Sequence, residues 1–170
     1  MQIAGLPMGL TVLLDCAAWT AIQTLLAFLC ARLPVSALDP GHWLFRAREW
    51  ERGGAIYERL FRVRAWKSRL PSGASVFGGF PMKRFASRER NYLERWLRET
   101  CRSELMHWLA FLSSGLFFLW NPAWLGSVMV LYAVAANMSC IVAQRHGRPR
   151  IAGILGAFDR STREAAALRA

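Results

Sequence analysis

The sequence predicts an all-α integral membrane protein with about three transmembrane helices and an amphipathic helical loop on the cytoplasmic side. Two observations carry that prediction. Windows 8–29, 105–120 and 124–143 are apolar enough to span a bilayer and contain no Lys or Arg, while all 22 Lys and Arg residues fall in 32–104 or 145–170. Three spans place both basic stretches on one face, so the positive-inside rule puts the N-terminus and the 121–123 turn outside the cell membrane. The loop 32–104 and the tail 144–170 are then cytoplasmic.

The first window, at about 22 residues and ~1.5 Å per residue, matches a ~30 Å hydrocarbon core. It lacks the basic n-region and small-residue cleavage site of a secretory signal, so it is expected to remain as an anchor. Asp15 within it is costly unless it meets a partner, water or the outer interface. The loop that follows interleaves Trp43, Leu44, Trp50, Tyr57 and Trp66 with Arg46, Arg52, Arg59 and Lys67. Such a mixture fits amphipathic helices in the headgroup layer, with the arginines snorkelling outward. Gly53-Gly54 interrupts the helical pattern, and Pro71-Ser72-Gly73 together with Phe77-Gly78-Gly79-Phe80-Pro81 marks a loop. A further helix is expected from near Ser87, with Tyr92, Leu93, Trp96 and Leu97 on its apolar side, running into the second window. That window, about 16 residues long, is only just sufficient to span. Asn121-Pro122 ends it, and the tight Asn-Pro-Ala-Trp link predicts an antiparallel hairpin with the third window of about 20 residues.

A net charge of +11 carried next to the membrane points to anionic lipid headgroups and phosphorylated substrates, not to nucleic acid. The four cysteines predict neither disulfide nor metal: Cys16, Cys30 and Cys140 belong to apolar spans, and Cys101 is on the reducing side.

Chemistry concentrates in RETCRSELMHW, 98–108. At about 100° per residue, Thr100, Glu104 and His107 share one helical stripe, so carboxylate and imidazole can meet as an acid/base pair at the membrane surface. The plainer alternative is an interfacial salt bridge. In the third window Asn137, Cys140 and Gln144 form a parallel polar stripe that the tight turn can bring against that pair. Beyond it, Arg145, Arg148 and Arg150, stiffened by Pro149, can clamp a phosphate or serve simply as a positive-inside anchor.

Four segments in order resemble the glycosyl-4,4'-diaponeurosporenoate acyltransferase family of carotenoid biosynthesis: WERGGAIYERLFRVRAWKSRLPSG (50–73), RETCRSELMHW (98–108), LYAVAAN (131–137) and QRHGRPRI (144–151). The chain shows Ser103, Ser139 and His146-Gly147 where the family pattern often has Ala, Pro and Tyr-Asn. The resemblance implies transfer of a fatty acyl group from an activated thioester, acyl-CoA or acyl-carrier, to a sugar hydroxyl of a glycosylated carotenoid or related glycolipid. His107 is the expected base and Glu104 its orienter, with no metal or bound cofactor. Asn137, Gln144 and the Arg98/Arg102 pair are the candidates for stabilising the developing oxyanion and Arg145, Arg148 and Arg150 for holding donor phosphates, while Glu99, Trp66 and Lys67 complete the expected substrate-binding set. A non-catalytic membrane adaptor is the rival, and its function would survive loss of His107. A di-iron site is disfavoured, because such bundles use two Glu-x-x-His motifs and this chain has one, with three histidines in all.

Overall fold

The computed structural model describes residues 7–70, 80, 82 and 86–167, and the described residues are helical or irregular, with no strand among them. The first helix, α1, runs Met8–Arg32 and is apolar on every side. Its termination follows from Pro34, which pushes Leu33 to extended backbone (φ −63°, ψ 134°). Leu10, Leu13, Leu25 and Leu29 of α1 are exposed, whereas its buried residues are Asp15 and Cys30. Apolar outside and carboxylate inside is the inverse of a water-soluble helix.

Between α1 and the hairpin, the expected in-plane amphipathic helices are replaced by short pieces. These are α2 (Ala55–Phe61), α3 (Val63–Trp66) and 3₁₀ turns at Val35–Ala37, Glu49–Gly54 and Lys67–Arg69. The breaks have a backbone cause: Arg52, Gly53, Gly54 and Arg62 take φ of 47°, 63°, 89° and 48°, a left-handed conformation that ends a right-handed helix. Gly54 is needed for a second reason, since a Cβ there would stand 2.8 Å from the His146 carbonyl oxygen. The segment thus packs against the hairpin. It buries Leu38, Phe45, Glu51, Tyr57 and Val63 while leaving Trp43, Trp50, Leu60 and Phe61 exposed. The expected loop at 71–81 lies outside the described residues except for Phe80, which packs with Met82 on the Leu93, Trp96, Leu97 and Ile151 cluster.

Helix α4 (Arg90–Ser113) and helix α5 (Ala123–Ala167) form the principal pairing. Leu93, Leu97, Cys101 and Glu104 recur at helical spacing on the buried face of α4. After Ser113 the chain tightens into a 3₁₀ segment, Ser114–Leu119, as Ser113 and Ser114 hydroxyls donate back to the carbonyls of Ala110 and Phe111. The stretch from 105 to 119 therefore supplies about 14 Å of α-helix and about 12 Å of 3₁₀ helix, short of a ~30 Å core. Two helices among the described residues are long and apolar enough to cross a membrane, Met8–Arg32 and Ala123–Ser161, and the expected 105–120 span is not one of them. Through the segment from 144 the chain stays helical: α5 runs 45 residues, about 68 Å, across Pro149.

Asp15 finds its partner at the hairpin turn. Its Oδ1 accepts from Trp120 Nε1 at 2.7 Å and Asn121 Nδ2 at 2.8 Å, so a charge-assisted contact seats α1 against the loop between α4 and α5. At its other end, α1 is held by Arg102, whose Nη1 donates to the Cys30 and Ala31 carbonyls at 2.8 and 2.7 Å. A cation on the last carbonyls of a helix also complements its dipole.

Candidate functional site

The α4 stripe of Thr100, Glu104 and His107 faces α5, but Glu104 and His107 are served by different partners. Glu104, fully buried, accepts from Arg145 Nε at 2.8 Å and Trp108 Nε1 at 3.2 Å on Oε1, and pairs with Arg148 Nη2 at 2.7 Å on Oε2. His107 instead places Nδ1 3.0 Å from Asn137 Oδ1. The expected Glu104–His107 pair is corrected accordingly. Three-residue spacing permits the contact, yet two guanidiniums across the interface outcompete a neutral imidazole for a buried carboxylate.

Around Glu104 a neutral cluster of two carboxylates and two guanidiniums forms. Arg145 Nη1 reaches Glu51 Oε1 at 2.5 Å, and its Nη2 donates to the Leu44 carbonyl. Arg148 Nε donates to Thr100 Oγ1 at 3.0 Å and its Nη1 to the Phe45 carbonyl at 2.6 Å. Burial, reinforced by the Glu51 carboxylate, pushes the neighbouring Tyr57 hydroxyl up to about 12, so it stays protonated and can donate into the cluster. Two of the three arginines expected at a donor clamp, Arg145 and Arg148, are thus engaged in fastening residues 44–57 to the hairpin. Arg150, by contrast, is exposed.

Most of the other expected substrate contacts also have structural partners. Arg98 Nη1 lies 3.3 Å from the Ser36 carbonyl, Arg102 pairs with Glu99 at 2.9 Å, and Gln144 Nε2 donates to Ser103 Oγ at 3.1 Å. Trp66 Nε1 donates to the Phe61 carbonyl at 2.7 Å, while Lys67 is exposed. Cys101 is no nucleophile, because burial pushes its thiol up to about 11.

His107 keeps chemical freedom. It is only partly buried, and its Nε2 has no protein partner among the described residues. A second histidine, His146, faces Glu58 at 3.4 Å. Burial holds its imidazole below the usual range, and Lys67, Arg64 and Arg150 push the same way against Glu58. Those three cations are therefore near enough to His146 to act on it.

Sequence reasoning missed Glu51 and Tyr57 as members of the cluster and Trp120 and Asn121 as partners of Asp15. Glu51 and Arg145 are 94 residues apart, and no local spacing links them. For Asp15 a signal existed in its depth within an apolar helix, although nothing local identified what it would meet.

Comparison with known proteins gives a consistent result. The sequence profile of the family described as glycosyl-4,4'-diaponeurosporenoate acyltransferase matches residues 41–157. A Staphylococcus haemolyticus protein of that name is 30% identical over 140 residues, covering 82% of this chain and 81% of the relative. Proteins of the same name from Staphylococcus aureus strains bovine RF122 / ET3-1 and MRSA252 are 27% identical over 143 residues, covering 84% of this chain and 86% of theirs. No solved structure matches the chain.

Proposed function

The chain belongs to the glycosyl-4,4'-diaponeurosporenoate acyltransferase family and is an acyltransferase, and from that premise we propose that it moves a fatty acyl group from a thioester to a sugar hydroxyl of a glycosylated carotenoid acid or related glycolipid. The single observation that carries the reading is His107, half-buried, held through Nδ1 by Asn137 and with Nε2 open. As base, Nε2 takes the proton of the sugar hydroxyl while its oxygen forms a bond to the thioester carbonyl carbon. Collapse of the tetrahedral intermediate breaks the carbon–sulfur bond, and the leaving thiolate takes the proton back from the imidazolium. Glu104 acts at one remove, by holding the hairpin and the 44–57 segment together around this position. Expression in cells that make the glycosylated C30 carotenoid acid tests the reading. Mass spectrometry of their pigments should show the glycoside heavier by one fatty acyl group, and an unaltered glycoside despite membrane-inserted protein would refute it.

The donor is assigned to the exposed cations. Lys67, Arg64 and Arg150 are free to meet the phosphates of an acyl-CoA or acyl-carrier thioester, unlike the neutralised Arg145 and Arg148. From Asn137 to Arg150 the rise along α5 is on the order of 20 Å, a span suited to an extended pantetheine arm between phosphate and thioester. Lys67→Gln combined with Arg150→Gln should raise the donor KM about tenfold with little change in kcat, and added salt should have the same effect on the unmutated protein. An unchanged donor KM in the folded double variant counts against this placement.

For the membrane arrangement, a multi-pass topology with the N-terminus outside is proposed. The basic loop and the C-terminal part of α5 then lie in the cytoplasm against anionic headgroups. Two contacts support it. Asp15 joins the outer part of α1 to the hairpin turn, and Arg102 joins the inner end of α1 to α4. The 105–119 segment crosses in the shelter of α1 and α5, which compensates for its shortness by thinning the local bilayer. His107 then sits about 7–8 Å below the level of Arg102, within reach of a chain-buried substrate whose sugar is at the interface. Reporter fusions after Leu38 and at the C-terminus should both read cytoplasmic; an external reading at either position would overturn the arrangement.

A further inference from the structure

We propose that Asn137 is a positioning residue that holds His107 in the Nδ1–H tautomer, so that Nε2 carries the lone pair. The assignment deepens the base reading of His107 and rests on it. It follows from the direction in which the Asn137 amide must point. Asn137 is 2% exposed, and its Nδ2 donates to the Ala133 carbonyl at 2.9 Å, one turn back on α5. A backbone carbonyl only accepts, so the amide has to present its NH₂ there and its oxygen to the imidazole. Flipping the amide would set two acceptor oxygens against each other beside Ala133, which is itself fully buried and beyond the reach of water. Oδ1, 3.0 Å from Nδ1 of His107, can only accept. Nδ1 must therefore donate, and a neutral imidazole with its proton on Nδ1 has its lone pair on Nε2, the nitrogen without a partner among the described residues.

Free neutral imidazole side chains in water favour the opposite tautomer, with the proton on Nε2. In that form the ring cannot take a proton through the nitrogen that is open here. Asn137 thus does for His107 what a carboxylate does in many hydrolase triads, without adding a charge to a poorly hydrated place. Asn137 also belongs to the polar stripe first read as substrate-facing. Its amide hydrogen bond to Ala133 and its oxygen contact with His107 assign it to the base instead of the substrate.

The test uses full-length protein, ring-¹⁵N-labelled at histidine and held in lipid vesicles. The His107 signals are assigned among those of the three histidines by their loss in His107→Gln. In the unmutated protein at a pH where the imidazole is neutral, the spectrum should show the Nδ1–H tautomer for His107. Asn137→Leu should convert it to Nε2–H and lower kcat about 10- to 100-fold, with the KM for both substrates within about twofold. An Nε2–H imidazole in the unmutated protein overturns the assignment, whatever the activity of His107→Gln. So does a folded Asn137→Leu variant with an unaltered His107 spectrum. An Nδ1–H imidazole together with a fully active His107→Gln protein overturns the base reading while the tautomer itself stands.

Discussion

His107→Gln should lower acyl transfer by about two to four orders of magnitude, the range associated with loss of a general base, while the protein inserts in the membrane as before. Glutamine retains a polar group that can reach Asn137, so the hairpin contact survives in part while the titratable nitrogen is lost. His107 is absent from the buried ion cluster, and thermal stability should therefore change by no more than about 1–2 kcal/mol. Activity is best measured at saturating donor and acceptor, where binding effects drop out and the loss appears in kcat. Near-normal turnover under those conditions would remove the base from the mechanism and leave the chain a lipid-holding adaptor.

Glu104→Gln should produce the opposite pattern, a loss of stability out of proportion to any effect on chemistry. Glu104 is fully buried between Arg145 and Arg148, whose side chains are 12% and 5% exposed, and its removal leaves two guanidiniums facing the single carboxylate of Glu51. Removing one partner of a buried pair costs about 3–5 kcal/mol, because the remaining charge is left uncompensated. For a chain of this size that corresponds to a fall in Tm on the order of 10 °C. Pairing Glu104→Gln with Arg148→Gln restores charge balance, so the double variant should lose less stability than the sum of the two single changes. A Glu104→Gln protein with unchanged Tm but much reduced kcat would instead reinstate Glu104 as the partner of His107.

How much of this was legible in the sequence depended on the range of each contact. The hairpin was readable because Asn121 and Pro122 interrupt two apolar stretches within a few residues, and the polar stripe of α5 because Asn137 and Gln144 recur at helical spacing. His107 could be singled out as a candidate base for the same local reason. Its partner could not, since the choice between Glu104 three residues away and Asn137 thirty residues away is made by Arg145 and Arg148, which occupy Glu104 from another helix. The amphipathic composition of 43–67 announced helical structure there but not its division into short pieces. The left-handed backbone at Arg52 and Arg62 is unfavourable for residues with a Cβ and has no sequence signature of its own. The continuation of α5 across Pro149 is a further tertiary effect: Arg145 and Arg148, just before it, are tied to the 44–57 segment, and Ile151, just after it, is buried against α4.

The most direct test of the account is reconstitution. The purified, full-length chain alone, in vesicles containing anionic lipid and the glycosylated C30 carotenoid acid, receives a radiolabelled long-chain acyl-CoA or acyl-carrier thioester. The account predicts a labelled acyl glycoside formed in step with one equivalent of free thiol, from the unmutated protein and not from His107→Gln. Labelled product that forms equally with His107→Gln, or that neither thioester yields until a second protein is added, would contradict it.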